Sequence, residues 1–195
     1  MSYFVTGATG FIGRFLVDRL LRQRKGTVYV LVRKDSRKKL DAIAKKMGWD
    51  MKRLVPVEGD MTQEKCGVSA SQTRALAGKV KHFFHLAAIY DLTAKPEAQY
   101  AANVEGTRHA LDLAAVLEAG VFHHTSSIAA AGLYPGVFRE DMFGEAEGLD
   151  DPYLRTKHDS EALVRRETRV KWRIYRPGMV VGHSQTGEMD KIDGP

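Results

Sequence analysis

The chain has 195 residues, of which 44% are hydrophobic and 28% charged, a composition typical of one soluble globular domain. Its net charge of +6 fits attraction to a small polyanion as well as to nucleic acid. The basic residues are scattered, and no zinc-finger, basic-zipper or aromatic RNA-binding motif is present, so we expect no nucleic-acid partner. No run approaches the ~20 apolar residues of a transmembrane segment, and a single cysteine, Cys66, excludes an internal disulfide framework and favours a cytoplasmic location.

The opening stretch, residues 3–16 (YFVTGATGFIGRFL), combines a short apolar strand, a turn with three glycines and an amphipathic helix. Gly7 allows a tight turn, Gly10 lets backbone approach a phosphate, and Gly13 lets the helix pack close to the strand. The start of the helix adds free N–H groups and a positive dipole end. The stretch therefore predicts a pyrophosphate-binding site.

Short apolar runs alternate with helical patterns along the rest of the chain. The predicted strands are residues 28–32, 54–57, 80–86, 121–125 and 172–175, and the predicted helices are residues 36–47, 97–117 and 153–168. This alternation predicts an α/β fold, a Rossmann-like doubly wound parallel sheet with helices on both faces. Residues 132–151, rich in glycine, proline and acids, are expected to form a surface excursion beside the site.

Two cations, Arg33 and Lys34, directly follow the second predicted strand. Dinucleotide folds that bind NAD place an acid about 20 residues beyond the glycines, where it binds the ribose 2′-hydroxyl. A guanidinium at Arg33 can instead form two hydrogen bonds to a 2′-phosphate, so the sequence favours NADP(H). Asp35 keeps NAD open as an alternative, and the two cations could also be ordinary surface residues.

Tyr153 and Lys157, four residues apart, share one face of a predicted helix. A neighbouring ammonium would lower the phenol pKa from its usual ~10 and make proton exchange with a substrate oxygen feasible. Residues 124–131 (HTSSIAAA) end the fifth strand, where ligands bind in open α/β sheets. A serine there could donate a hydrogen bond to a substrate oxygen, or it could only cap a helix.

The histidines do not predict a metal site. His82 and His85 lie three apart on a predicted strand and so face opposite sides, and His123 and His124 diverge because they are adjacent. No GxSxG motif indicates serine-hydrolase chemistry.

Together these features resemble the extended short-chain dehydrogenase/reductase superfamily over essentially the whole chain. The matching motifs are TGATGFIG (6–13), HLAA (85–88), NVEGT (103–107), TSS (125–127), YLRTK (153–157) and RPGMVVG (176–182). The resemblance implies that Tyr153 donates a proton to the carbonyl, that Lys157 binds the nicotinamide ribose, and that Ser127 polarises the substrate oxygen. Asn103 matches a position that is often structural in extended members.

The expected cofactor contacts follow the same motifs and the two segments after the second and third strands, with Asp60 next to adenine. They are Thr6, Gly7, Thr9, Gly10, Phe11, Ile12, Gly13, Arg33, Lys34, Asp60, Met61, Leu86, Ala87, Ala88, Tyr153, Lys157, Pro177, Gly178 and Val180.

Residues 138–147, 152–161 and 174–195 are further similar to the N-terminal reductase domain of bacterial alcohol-forming fatty acyl-CoA reductases. This likeness implies NADPH-dependent reduction of a fatty acyl-CoA, another acyl thioester or a fatty aldehyde toward the alcohol. It also implies an NAD(P)-binding reductase domain in residues 1–182, an incomplete substrate-binding region beginning at residues 183–195, and further domains beyond.

Two other functions remain open. One is a nucleotide-sugar epimerase, dehydratase or other ketoreductase of the same fold, against which Arg33 argues. The other is a dinucleotide-binding redox sensor without turnover, which would not need a complete Ser/Tyr/Lys set.

Overall fold

A parallel sheet with the strand order β3-β2-β1-β4-β5-β6 organises the computed structural model, which describes residues 1–89 and 94–189. Its strands are β1 (Ser2–Thr6), β2 (Val28–Val32), β3 (Leu54–Glu58), β4 (Val80–His85), β5 (Val121–Thr125) and β6 (Trp172–Tyr175). Every neighbouring pair is parallel. The predicted doubly wound α/β fold is confirmed, and each predicted strand agrees with the observed one to within one residue at either end.

The helices connect successive strands. They are α1 (Phe11–Gln23), α2 (Arg37–Met47), α3 (Ala70–Leu76), α4 (Pro96–Tyr100), α5 (Gly106–Val116) and α6 (Pro152–Arg166). Three short 3₁₀ turns occupy Lys34–Ser36, Glu64–Gly67 and Ile128–Ala131. None of the helices in the described parts of the chain is long and apolar enough to cross a bilayer.

Helices cover the sheet on both faces because the strand side chains alternate between two cores. One core includes Phe4, Phe83 and Phe122, whose stacked rings lie 4.8 and 5.3 Å apart, and the helices α3, α5 and α6 pack against it. The other core includes Tyr3 and Val5, and α1 and α2 cover it. This burial on both faces explains why the strands are near-continuous apolar runs.

Two helical predictions need correction. The helix expected over residues 97–117 is divided, because a π-helical turn at Ala101–Glu105 separates α4 from α5. The apolar periodicity did not predict α3, because this helix has only seven residues. Its start is fixed by Ser69, whose Oγ accepts the backbone N–H of Gln72.

The segment after β3 makes an unusual left-handed turn. Lys65, Cys66 and Gly67 have φ angles of 49°, 57° and 63°, and Cys66 O accepts the backbone N–H of Asp60 at 2.8 Å. Burial, together with the negative charges of Asp60 and Asp112, raises the pKa of the Cys66 thiol to about 12. The thiol is therefore protonated and shielded at neutral pH.

Candidate active site

The parallel pairing brings the carboxyl ends of all these strands to one edge of the sheet. The predicted site segments that follow the strands therefore share this edge, and they begin at Gly7, Arg33, Asp60, Leu86, Ser127 and Pro177. The parallel strands β1 and β4 are neighbours, but the chain continues from β1 toward β2 and from β4 toward β5, on opposite sides of this pair. The two connections diverge and leave the crevice where ligands of such folds bind.

The glycine turn after β1 has the close contacts that its sequence predicts. Gly7 has a φ of +74°, and a Cβ added to it would lie 2.7 Å from Ala87 N. A Cβ on Gly13 would lie 2.0 Å from Gly7 O, so only glycine lets α1 approach the turn this closely. Gly10, by contrast, has ordinary extended backbone and is exposed.

The start of α1 fits an anion such as a dinucleotide pyrophosphate. Gly10 is the N-cap of the helix and provides no side-chain acceptor, so the first N–H groups of α1 are not capped by it. Thr9 and Phe11 are half-buried beside the turn, and Ile12 is 40% exposed. The predicted phosphate contacts thus lie around a helix start that is open to solvent.

A buried hydrogen-bond chain holds the end of β4 against the glycine turn. His85 Nε2 donates to Thr107 Oγ1 (3.1 Å), because the Thr107 hydroxyl hydrogen is used on Asn103 O. His85 Nδ1 then accepts from Thr6 Oγ1 (2.9 Å), which in turn accepts the backbone N–H groups of Leu86 and Ala87. Burial, aided by the Lys157 charge, lowers the pKa of His85 to about 3, so this neutral arrangement persists.

The sequence did not predict this chain of hydrogen bonds. The signal was present, because His85 lies in the HLAA motif and Thr107 in the NVEGT motif, but nothing in the sequence indicated that the two side chains meet.

Arg33 and Lys34 are exposed at the end of β2, in the half of the sheet away from Ser127. Arg33 Nε lies 3.7 Å from Asp35 Oδ1. An exposed pair of this kind is worth at most about 1 kcal/mol, so it leaves the guanidinium available to a phosphate.

Asp60 and Met61 lie after the edge strand β3. Asp60 Oδ1 accepts both the backbone N–H and the hydroxyl of Thr62, each at 2.9 Å. Met61 packs against Gly106, where an added Cβ would lie 2.8 Å from Met61 Cε.

Ser127 begins the short turn after β5. Its Oγ accepts the backbone N–H of Ala129 at 3.1 Å, so Ser127 does cap this turn, which is one of its two expected functions. Because the oxygen accepts in this bond, the hydroxyl hydrogen can still be donated to a substrate oxygen. Ile128 N donates to Pro177 O (3.1 Å), which places the Ser127 turn beside the segment containing Pro177, Gly178 and Val180.

Lys157 lies on α6 and reaches the end of β5. Asp151 caps the helix by accepting the backbone N–H groups of Tyr153 and Leu154. The Lys157 side chain is buried, and its Nζ donates to Thr125 O at 3.0 Å, two residues before Ser127. Burial lowers the pKa of Lys157 to about 8, and the charge of Glu161 partly opposes this shift.

Tyr153 is half-buried one helical turn before Lys157. Lys157 thus contacts the end of β5, two residues before Ser127, and the Ser127 turn contacts the Pro177 segment. Arg33 and Asp60 lie at the other end of the sheet edge. The glycine turn and Ala88 lie between these two groups.

The histidine faces are as predicted, but one contact is new. His82 Nδ1 lies 3.0 Å from His123 Nε2 on the face opposite to His85. Within residues 1–89 and 94–189, no group of three or more His, Cys, Asp or Glu side chains is placed to hold a metal ion.

The family model described as "Male sterility protein", an NAD-binding family, matches residues 5–195. The chain belongs to this family. Its fold is that of the extended short-chain dehydrogenases/reductases.

This member of the Male sterility protein family is similar to parts of much longer proteins. The chain is 33% identical over 97% of its length to a linear gramicidin synthase protein of Brevibacillus parabrevis, of which it covers 4%. It is 30% identical over 97% of its length to the aldehyde reductase lnaA of Aspergillus flavus, covering 20% of that protein.

A solved structure, the terminal R domain from the myxalamid PKS-NRPS biosynthetic pathway, superposes with a TM-score of 0.85 and 32% identity. The match covers 97% of this chain and 52% of that one. The chain therefore spans about half of the R domain and a small part of its curated relatives.

Proposed function

We propose that this chain binds NADPH and reduces an acyl thioester, such as a fatty acyl-CoA, or a fatty aldehyde toward the alcohol. The observation that supports this most is the Lys157 ammonium, which is buried and hydrogen-bonded to Thr125 O beside the Ser127 turn. It provides a positive charge one helical turn from the Tyr153 phenol, where a proton must be delivered.

The residues divide the chemistry among them. When bound, the nicotinamide supplies a hydride to the carbonyl carbon. Tyr153 donates a proton to the carbonyl oxygen, Ser127 donates a hydrogen bond to that oxygen, and the Lys157 charge stabilises the phenolate that remains. With a thioester, the C–S bond then breaks, and the proton taken up by the carbonyl oxygen leaves with the sulfur, which releases the thiol and the aldehyde. Reduction of the aldehyde to the alcohol would consume a second NADPH and a further proton from Tyr153.

Apolar side chains around the Ser127 turn support an acyl substrate. Ile128, Met179 and Val181 are each about 60% exposed, and Leu133 and Val137 are exposed by 72% and 80%. Such a surface suits a hydrocarbon chain better than a nucleotide sugar, which needs polar partners. The greater length of the relatives supports a substrate-binding region that continues after the domain of residues 1–182.

Replacing Tyr153 with Phe tests catalysis. We expect kcat of the full-length protein to fall by about 100-fold or more, since the proton donor is lost. NADPH affinity, measured by nicotinamide fluorescence, should stay within a few-fold. The control is Tyr29→Phe, at a half-buried tyrosine on β2 in the other half of the sheet.

The assay follows NADPH oxidation with acyl-CoAs, acyl pantetheine thioesters, fatty aldehydes and nucleotide sugars. Oxidation with nucleotide sugars only would refute the acyl proposal. Full turnover in Tyr153→Phe would refute the assignment of Tyr153 as proton donor.

Replacing Arg33 with Ala tests the cofactor. Loss of a charge-assisted bidentate contact costs about 1.5–3 kcal/mol, so the NADPH Kd should rise by roughly 10- to 100-fold. The NADH Kd should change little. Arg19→Ala, at an exposed position on α1, is the control. Equal wild-type affinity for NADPH and NADH would contradict the 2′-phosphate assignment.

A further inference from the structure

Glu161 on α6 is a fully buried carboxylate that accepts four hydrogen bonds. Oε2 accepts from Ser126 Oγ (2.7 Å) and Arg176 Nε (3.0 Å), and Oε1 accepts from Arg165 Nε (2.8 Å) and an Arg176 terminal nitrogen (2.6 Å). The Glu161 side chain has no exposed surface. This is the most completely bonded acidic side chain near the candidate site in the described residues.

The carboxylate is charged at neutral pH. Burial alone would raise the pKa of Glu161, but hydrogen bonds from Arg176, Ser126 and Arg165 outweigh it and hold the pKa below its ordinary value. Two guanidinium groups compensate the buried charge, which would otherwise be costly.

The partners of Glu161 come from the segments that carry the candidate catalytic residues. Ser126 directly precedes Ser127, and Arg176 directly precedes Pro177. Glu161 itself lies one helical turn after Lys157. A backbone bond from Ser126 N to Tyr175 O (2.8 Å) joins the same two strand ends.

Arg176 extends this network to the excursion of residues 132–151. It donates to Met142 O (2.8 Å) and Arg139 O (3.2 Å), and its guanidinium lies 5.1 Å from the centre of the Phe138 ring. The carboxylate thus connects α6 directly to the Ser127 turn and the Pro177 segment, and through Arg176 to the excursion.

We propose that Glu161 is a positioning residue that holds the Ser127 turn, α6 and the Pro177 segment in one fixed arrangement. The inference rests on the proposed reductase function. Glu161 acts through Ser126, Lys157 and Arg176, and its four hydrogen bonds leave no place for contact with substrate.

The charge of Glu161 also acts on Lys157. The titratable groups that interact electrostatically with Lys157 are His85 from β4, His124 from β5 and Glu161 from α6. Tyr153 lies one turn earlier on α6. Burial keeps both histidines uncharged, whereas the negative charge of Glu161 raises the pKa of Lys157. Without that charge, the Lys157 ammonium should lose its proton at a lower pH.

The test is Glu161→Gln in the full-length protein. We expect kcat to fall at least tenfold while the KM for an acyl-CoA and the NADPH Kd stay within threefold. The alkaline limb of the kcat profile should move to lower pH by roughly half to one unit. Glu161→Asp, which keeps the charge, should restore the position of that limb.

The matched control is Glu167→Gln. Glu167 is also a nearly buried carboxylate, paired with Arg169 at 2.6 Å, but it lies beyond the end of α6 and away from the sheet edge. The Glu167→Gln substitution should lower thermal stability without changing kcat or the pH profile.

Ser126→Ala removes one of the four bonds and tests the proposal if Glu161→Gln does not fold. It should lower kcat severalfold with an unchanged NADPH Kd. A kcat within twofold of wild type, in Ser126→Ala or in a folded Glu161→Gln variant, would overturn the proposal. Full turnover in Tyr153→Phe would instead indicate failure of the proposed function.

Discussion

At the scale of single residues, the three glycines of the first turn meet different demands. Gly7 and Gly13 are required by the protein itself, because an added Cβ would collide with backbone atoms of the same domain. At Gly10 the nearest atom to an added Cβ is Gly7 O at 3.3 Å, and the residue is exposed. We therefore propose that glycine is required at this position for the approach of a phosphate.

Alanine at Gly13 should therefore affect stability, whereas alanine at Gly10 should affect cofactor binding. Gly13→Ala should lower the unfolding free energy by more than about 2 kcal/mol, because backbone must move to admit the methyl group. Gly10→Ala should change it by less than about 1 kcal/mol yet weaken NADPH binding severalfold. Urea unfolding and fluorescence titration measure the two effects; equal stability losses would contradict this distinction.

The glycine turn could be predicted because its strand, spacing and helix lie within one short stretch of sequence. The partners of His85 could not, because Thr6 is 79 residues away and Thr107 is 22 residues away. The same holds for Glu161, whose partners are close only after β5, α6 and β6 have packed. Local patterns thus predicted the glycine turn, whereas the buried polar contacts depend on the tertiary fold.

At the scale of elements, the helical run from α4 to α5 shows what periodicity misses. The apolar pattern predicts one helix, and the chain is helical throughout, but the π turn at Ala101–Glu105 changes which side chains face the sheet. Asn103 lies in this turn. It accepts from Ile89 N (2.7 Å) and donates to Ile89 O (3.1 Å) and Thr156 Oγ1 (3.2 Å).

Replacing Asn103 with Ala should lower the unfolding free energy by about 2–3 kcal/mol, because backbone groups of the half-buried Ile89 lose their partners. The variant should keep its pH profile if it folds, since Asn103 holds the backbone after β4. Urea unfolding measures the loss, with Gln23→Ala, at an exposed amide on α1, as the control. A stability change below about 0.5 kcal/mol would contradict this structural function.

At the scale of the whole molecule, the sheet holds uncharged histidines on both faces. Burial lowers the pKa of His85 to about 3 and that of His123 to about 4, and the pKa of His124 also lies well below its ordinary value. Below about pH 6.5 these histidines therefore bind fewer protons in the folded protein than in the unfolded chain.

Acidification should destabilise the protein well before its carboxylates titrate. Because the unfolded state binds more protons between about pH 6.5 and pH 4, the unfolding free energy falls across that window. His85 alone should account for about 2 kcal/mol at pH 5. Urea unfolding at pH 7 and pH 5 measures the loss, and NMR of the ring protons should show His85 and His123 still neutral. Equal stability at the two pH values would refute this prediction.

The enclosed thiol of Cys66 has a practical consequence. Since the chain contains one cysteine, and that sulfur is buried and protonated, we expect maleimides to leave the unaltered chain unmodified. A cysteine introduced at Val137, a position 80% exposed in the excursion beside Ser127, would be the site that reacts. A fluorophore attached there would report on that loop during turnover.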